Sequence, residues 1–340
     1  MQSRFKQAAL FSVKLLLSIA VLVYIARGLD LGRLRAHLVS VNPSLFVLAL
    51  ALIFVQTFAL NGRWELIMRA LGVSLDWLAG WRILMISLWF NQVLPSSVGG
   101  DAVRMWLLRR RGVPWSEAVK GVAADRFTAL IGLVALMVAG LPFLMLRVSN
   151  QAALLAIGGL TLAGVAGTVV LLTLDRLPKR LIALPAIASF VRFGALVRFL
   201  LMRSERRGLL FGSALFIHVV TAAACFVLAR GVGAQLSVTD AGILIPPVIL
   251  LTAVPISISG WGVREGAMVA CLGLAGVPSE EALSVSILLG AVSVIVGVAG
   301  GVIWLASPER DSYSAHKAAQ AAEGSPNCGL AKAGEVSSHP

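Results

Sequence analysis

Six apolar runs, each long enough to cross a lipid bilayer as one helix, constrain the fold of this chain more than any other feature. A hydrocarbon layer about 30 Å thick is crossed by roughly 20 helical residues, and a helix satisfies its own backbone hydrogen bonds there. The runs lie at residues 8–26, 44–61, 123–146, 151–174, 209–230 and 283–305. The sequence therefore predicts an all-α fold, a polytopic integral membrane helical bundle.

Composition excludes the main alternatives to a membrane protein. The chain is 58% hydrophobic and only 13% charged, so a soluble fold could not cover its apolar surface. The net charge of +13 does not indicate nucleic-acid binding, because the basic residues are spread through short loops. The three cysteines form no even framework, and we expect neither a disulfide, nor a metal site, nor a cofactor.

Two shorter apolar windows, residues 78–94 and 240–256, each run into a Pro and Gly-rich turn. Lys and Arg accumulate in short cytoplasmic loops, and crossing by the first window alone would place residues 109–111, all arginine, outside. Re-entrant segments fit the charges better, and two further full crossings, giving eight, are the alternative. Both chain termini are then cytoplasmic, and the plasma (inner) membrane is the expected location.

The remaining segments have simpler readings. Residues 8–26 resemble a secretion signal, but Tyr24 occupies the place of the small residue needed for cleavage, so we expect a retained span. Residues 187–207 predict one cytoplasmic interfacial helix with Arg192, Arg203, Arg206 and Arg207 on one face, or else a loop that only sets orientation. Residues 1–306 are expected to form the membrane domain and residues 307–340 a disordered polar tail.

The two short windows belong to an internal repeat. LPSSVGGDAVR at 94–104 matches VPISISGWGVR at 254–264 with a spacing of 160 residues, and GVP at 112–114 matches GVP at 276–278 with a spacing of 164. We therefore expect repeat elements at 78–146 and 240–305. Three long runs separate the two copies, and an odd number of crossings means that the copies enter from opposite faces. Inverted repeats with interrupted helices are typical of secondary transporters, whose sites lie near the bilayer middle.

The first turn has the composition of an anion site. Pro95 ends the incoming helix, and Gly99 and Gly100 permit a reversal. Asp101 is expected to be the N-cap of a new helix, with Arg104 on the same face. A helix N-terminus with an Arg can bind an anion, although a cap and salt bridge that only fix the helix end would give the same pattern.

The other candidate residues are weighed in the same way. Asp125 and Arg126 either belong to the site or form a boundary pair at the start of a crossing, a lone His218 is more often packed than a proton relay, and Trp64, Trp81, Trp89 and Trp106 are expected in the interfacial belt. The expected substrate-binding residues are Asn91, Pro95, Gly99, Gly100, Asp101, Arg104, Asp125, Arg126, Ser257, Gly260, Arg264 and Glu265.

Four stretches together resemble the lysylphosphatidylglycerol synthase transmembrane region, also described as the flippase-like family. They are NGRW at 61–64, NQVLPSSVGGDAVR at 91–104, the pair at 125–126, and PISISGWGVREG at 255–266. The resemblance covers roughly residues 8–306. In multi-domain relatives this region is joined to a soluble aminoacyl-transfer domain, which we do not expect here. The resemblance implies translocation or handling of a lipid, without synthesis.

Three functions stay open on the sequence. The first is a flippase-like transporter for an amphipathic lipid, whose head group could be anionic or polyprenyl-linked. The second is an accessory subunit of a lipid or cell-envelope biosynthetic enzyme. The third, an intramembrane lipid-modifying enzyme, is disfavoured because the four histidines are scattered without metal-ligand spacing. We therefore expect membrane lipids as partners, with a biosynthetic enzyme as a possible second partner.

Overall fold

The computed structural model describes residues 30–94, 99–176, 178, 184–253 and 261–307. Within those ranges all regular secondary structure is helical. The helices are α1 (Leu31–Val39), α2 (Pro43–Ala70), α3 (Trp77–Val93), α4 (Gly99–Arg110), α5 (Trp115–Arg147), α6 (Gln151–Thr173), α7 (Pro185–Arg198), α8 (Arg207–Gly231), α9 (Val238–Ala253), α10 (Val263–Gly273) and α11 (Ser279–Leu305).

Local chemistry fixes where several helices begin. Asn42, Asp76 and Asn150 are the N-caps of α2, α3 and α6, and each side chain accepts a hydrogen bond from a backbone N–H of the first turn. These side chains satisfy donors that have no partner within the helix. The loops between the apolar segments thus carry the start signals for the helices.

Five of the described helices are long and apolar enough to cross a membrane. They are α2, α5, α6 with its following turn to Arg176, α8 and α11. They coincide with five of the six predicted crossings, and the polytopic helical fold is confirmed. The first predicted crossing, residues 8–26, and the tail after Ser307 lie outside the described residues.

The two short apolar windows form α3 and α9, and each folds back against the helix that follows it. In the first pair, the backbone N–H of Gly100 at the start of α4 donates to Asn91 near the end of α3. Leu107 and Leu108 near the end of α4 share a buried cluster with Ile83, near the start of α3. The two helices are therefore antiparallel and form a helical hairpin, defined here as the first hairpin.

The second hairpin is built in the same way from α9 and α10. Pro247 and Leu251 on α9 line one cavity with Ala267 of α10, whereas Ile243, earlier on α9, lines another with Ala275, just after α10. The helices are again antiparallel. Hairpins of this kind are the geometry that re-entrant segments require, since both ends of each hairpin lie on the same side.

The link from each hairpin to the long helix after it repeats in detail. Gly112 and Gly276 have φ of 85° and 78°, a region that favours glycine. Pro114 and Pro278 then occupy the N-cap positions of α5 and α11 with nearly the same dihedral angles. The GVP sequence match at a spacing of 164 residues therefore corresponds to one conserved turn conformation in both copies.

The contacts between helices repeat in the two halves of the chain in the same way. Helices α1 to α5 correspond to α7 to α11, and each of the main contacts among these ten helices has its counterpart, whereas α6 stands outside the correspondence. The α3–α11 contact matches α9–α5, α2–α5 matches α8–α11, α1–α11 matches α7–α5, and α2–α8 is its own counterpart. Such a pattern is expected for two copies related by a pseudo-two-fold axis.

The long helix α5 shows that the hairpins are inverted relative to each other. Its 33 residues extend about 50 Å. A link of four residues joins it to the end of the first hairpin, and at its other end Arg147 Nη1 lies 3.9 Å from Asp240 Oδ1, at the base of the second hairpin. The bases of the two hairpins therefore lie at opposite ends of the bundle.

Described residues beside the two hairpin turns contact α11 near its middle. Arg264, just after the second tip, contacts Gly290, whereas Gln92, just before the first tip, contacts Gly297. Seven helical residues separate these two contact points, or roughly 10 Å along the axis. Further along α11, Trp304 packs against Phe90 and Trp106 of the first hairpin. The hairpins thus lie tip to tip.

The prediction of one interfacial helix over residues 187–207 is wrong in its extent. Helix α7 is followed by a π-helical turn, Phe199–Arg203, and Ser204 is then extended, with ψ of 136°. Arg206 and Arg207 belong to the start of α8. Because the chain breaks at Ser204, the four arginines do not share a single helical face, although all four are exposed.

Candidate functional site

The carboxylate of Asp125 on α5 lies between two buried arginines. Arg63 Nε of α2 is 2.8 Å from Asp125 Oδ1, and Arg104 Nη1 of α4 is 2.9 Å from Asp125 Oδ2. All three side chains are at least 94% buried. Charges removed from water in this way need partners, and here one carboxylate serves two guanidinium groups.

The ring of Trp64 completes this cluster. The guanidinium carbon of Arg104 lies 3.7 Å from the centroid of the Trp64 ring, which is fully buried. An aromatic face attracts a cation most strongly where water is excluded. Trp64 therefore holds Arg104 of the first hairpin against α2, and the prediction that Trp64 lies in the interfacial belt is wrong.

Several polar atoms of the cluster are buried and have no hydrogen-bond partner in the described part of the protein. They are Arg63 Nη1, Arg104 Nε, Arg104 Nη2 and Trp64 Nε1. All four are N–H donors. Buried donors without an acceptor are uncommon in native proteins and each requires an explanation.

A second ion pair joins the same two helices. Arg126 Nε and Nη2 of α5 donate to the two carboxylate oxygens of Asp101 on α4, at 2.8 and 3.0 Å. The Asp101 side chain is 10% exposed, whereas that of Arg126 is 55% exposed. This two-point pair is the outermost part of the cluster.

Close approach of α3 and α4 fixes the position of these charges. A Cβ on Gly100 would overlap the carbonyl oxygen of Ser87 and lie 2.6 Å from Asn91 Cγ. Glycine is thus required where α4 begins. Asn91, one of the expected substrate-binding residues, contacts this turn, since its side-chain oxygen accepts from Gly100 N at 2.9 Å.

The second hairpin carries a self-contained charge pair. Arg264 Nη2 donates to Glu265 Oε1 at 2.7 Å, and Arg264 Nε donates to the hydroxyl of Ser286 on α11. The other oxygen of Glu265 accepts from the backbone N–H of Gly262 at 2.6 Å and so caps α10. Arg264 also lies over the ring of Trp261. One carboxylate balances one guanidinium, and no atom of either side chain is among the buried unpaired groups.

The structure changes the pairing that the sequence suggested. Asp101 is not an N-cap, because α4 begins at Gly99 and both Asp101 oxygens bind Arg126. The alternative prediction, a salt bridge between Asp101 and Arg104, is also wrong, since Arg104 binds Asp125 and Asp101 binds Arg126. Asp125 and Arg126 lie ten residues after the start of α5, and each binds a residue of α4.

Other predicted site residues are distributed as follows. Gly99 and Gly100 lie in the first hairpin beside the charges, and Arg264 and Glu265 lie in the second. Pro95, Ser257 and Gly260 lie outside the described residues. His218 is buried, with Nε2 2.9 Å from the Ala129 carbonyl oxygen, as expected for a packed histidine.

Two members of the cluster, Arg63 and Trp64, were missed as site residues. Both lie in the NGRW motif at 61–64, which contributed to the family resemblance but was not connected to the turn at 95–104. The signal was present in the sequence. Its partner could not be recognised, because Arg63 and Asp125 are 62 residues apart.

An apolar groove of about 560 Å³ runs between α5 and α7. Its walls include Phe127, Phe190 and Phe193, and Lys120 and Arg192 supply positive charge. Ala123, which also lines the groove, precedes Arg126 by three residues in α5, so the groove and the Asp101–Arg126 pair lie at neighbouring positions on this helix. An amphipathic molecule could therefore place an apolar body here and a polar group towards the charges.

Comparison with known proteins agrees with this architecture. A family model described as "Lysylphosphatidylglycerol synthase TM region" matches residues 11–301. A curated relative, a UPF0104 membrane protein from Methanocaldococcus jannaschii, is 28% identical over 123 residues, which cover 36% of this chain and 35% of the relative. The aligned region thus spans about a third of that relative's length.

Proposed function

Because this chain belongs to the family of the lysylphosphatidylglycerol synthase transmembrane region, we propose that it translocates an amphipathic membrane lipid with a polar head group. Family membership supports a membrane protein involved in lipid handling. The observation that carries the more specific proposal is the pair of inverted hairpins, which lie tip to tip and bring charged side chains between long apolar helices.

Inversion provides a physical route for alternating access. Each hairpin is anchored at one end of the bundle, so a small movement of one hairpin would open the central region to one side only. A head group in the centre would then meet Arg104 from one hairpin and Arg264 from the other. Polar groups at this depth compensate the cost of removing a head group from water.

The groove between α5 and α7 suits the apolar part of such a lipid. Lys120 and Arg192 are placed to attract an anionic head group before it reaches Arg126. In this proposal the bilayer is the plasma membrane with both chain termini in the cytoplasm, the partners are membrane lipids, and the protein itself catalyses no chemical change. A biosynthetic enzyme that supplies the lipid would be a second partner.

Lipid movement in proteoliposomes tests the proposal. Purified protein is reconstituted with a trace of fluorescent phospholipid, and the fraction bleached by an external reductant is followed in time. We expect the unmodified protein to accelerate exchange, and Arg104→Gln and Arg264→Gln each to slow it at least 10-fold by removing a charge at one tip.

Arg69→Gln is the matched control, because Arg69 is a half-exposed arginine at the end of α2 that pairs only locally with Glu65. It should exchange lipid at the unmodified rate. All variants must elute as the unmodified protein does in detergent. Undiminished movement in both tip variants would refute the assignment, whereas an inert protein that restores activity to a copurifying biosynthetic enzyme would favour the accessory role.

A further inference from the structure

The charge cluster formed where α2 and α5 pack against the first hairpin holds more positive than negative charge. Three guanidinium groups, those of Arg63, Arg104 and Arg126, face two carboxylates, those of Asp101 and Asp125. One positive charge is therefore in excess within a region that is largely buried. An isolated charge near the bilayer centre costs about 2.5–3.5 kcal/mol on insertion scales, so an anion here would be stabilising.

The unpaired atoms indicate which kind of anion would fit. Arg63 Nη1, Arg104 Nε, Arg104 Nη2 and Trp64 Nε1 are all N–H donors without an acceptor in the described part of the chain. Several buried donors on three neighbouring side chains, beside excess positive charge, match a group with several negatively charged oxygens. Guanidinium groups bind phosphate oxygens well, because their planar donors can bond two oxygens at once.

The second hairpin supplies an internal comparison. Arg264 has Glu265 and Ser286 as acceptors, and its charge is balanced within the hairpin. Excess charge and unpaired donors therefore occur together in the cluster around Asp125 and not around the Arg264–Glu265 pair in the described part of the second hairpin. This coincidence distinguishes a ligand site from a general feature of the repeat.

From these observations we infer that Arg63, Arg104 and Trp64 form a subsite for the phosphate of the lipid head group. The inference rests on the proposed function and narrows its substrate to lipids that carry a phosphate. Asp125 orients the two arginines and does not contact the phosphate. The Asp101–Arg126 pair lies at the outer, more exposed side of this subsite and must separate or shift to admit a head group.

Thermal unfolding in an uncharged detergent tests the subsite directly. The probes are dioctanoyl phosphatidic acid, dioctanoylglycerol, which lacks the phosphate, and inorganic phosphate. Phosphatidic acid should raise the melting temperature in a concentration-dependent way, and dioctanoylglycerol should raise it much less. Stabilisation by inorganic phosphate as well would show that the subsite takes free phosphate. If both lipids raised the melting temperature equally, the inference would be overturned. This comparison uses the unmodified protein alone.

Trp64→Phe is the sharpest variant, because it removes one unpaired N–H and keeps an aromatic ring beneath Arg104. We expect the dissociation constant for phosphatidic acid to rise about 10-fold, equivalent to about 1.4 kcal/mol. Without lipid, the variant loses no hydrogen bond, but the smaller ring leaves a cavity in the core, so its melting temperature should fall somewhat and lipid affinity is measured well below it. A merely structural tryptophan would show unchanged lipid affinity, and this result would contradict the inference.

Trp81→Phe is the control for this variant, because Trp81 Nε1 already donates to Thr57 Oγ1 and lies outside the cluster. Its affinity for phosphatidic acid should not change. Arg104→Lys is a second test that keeps the charge beside Asp125 but removes two unpaired donors, and it should also weaken binding at least 10-fold. If lipid movement persists in proteoliposomes while both subsite variants bind normally, the phosphate subsite is wrong and the transport proposal stands.

Discussion

At the scale of single residues, Asp125 is the centre of the first hairpin's charge cluster. It is the only described acceptor for two buried arginines, each from a different helix. Removing one partner of a buried pair leaves an uncompensated charge, which costs more than the pair contributes when intact. The Asp125 carboxylate therefore stabilises the fold by balancing two buried charges, whatever it does in transport.

We expect Asp125→Asn to lower the free energy of unfolding by about 3–5 kcal/mol. Two buried guanidinium groups would then share one neutral amide. Thermal unfolding in detergent measures the change. Asp175→Asn is the comparison, because Asp175 also pairs with an arginine, Arg198, but at a partly exposed site. A similar melting temperature for both variants would show that the Asp125 cluster contributes little to stability.

At the scale of helices, small residues allow α3 and α11 to touch. A Cβ on Gly300 would overlap the carbonyl oxygen of Met85, and one on Gly301 would lie 2.9 Å from the Trp89 ring. Within a bilayer, close helix packing replaces the hydrophobic effect as the main attraction between helices. The α3–α11 contact therefore attaches the first hairpin to the second repeat.

Gly300→Ala is expected to cost about 1–3 kcal/mol, because the backbone of α3 must move away. Gly158→Ala on α6 is the control. A Cβ there meets no atom within 4 Å, and alanine should be neutral or slightly favourable in a helix. Melting temperatures in the same detergent distinguish the two. Equal stability of the two variants would mean that α3 and α11 adjust without strain.

At the scale of the whole molecule, inversion of the hairpins predicts opposite labelling of equivalent positions. Ser116 and Ser279 are exposed residues at the starts of α5 and α11, directly after the two hairpins. Single cysteines at these positions should react with a membrane-impermeant maleimide from opposite sides, with Ser116→Cys labelled from the cytoplasm. Sealed vesicles of each orientation provide the measurement.

The native cysteines should contribute little to the labelling, because Cys225 and Cys271 are buried and Cys328 can be replaced by serine. If both cysteines reacted with the maleimide from the same side of the membrane, the inverted arrangement would be wrong. Labelling from opposite sides is independent of any transport assay. It therefore tests the architecture without assuming the function.

The sequence by itself determined the class of fold and the repeat. Long apolar runs specify membrane helices because each helix satisfies its own backbone, and the Pro and Gly turns are local signals that interrupt it. The GVP motifs at 112–114 and 276–278 marked equivalent turns, and the structure gives both the same conformation. These properties depend on neighbouring residues along the chain.

Tertiary structure alone decided which charges meet. Arg104 has an acidic residue three positions away, but it binds Asp125, 21 residues distant, and Asp125 also binds Arg63 at a distance of 62 residues. Such pairings depend on how α2, α4 and α5 pack, and packing is set by the shape of many side chains at once. The burial of Trp64 and the unpaired N–H donors around Asp125 follow from the same packing, so no local pattern could have revealed them.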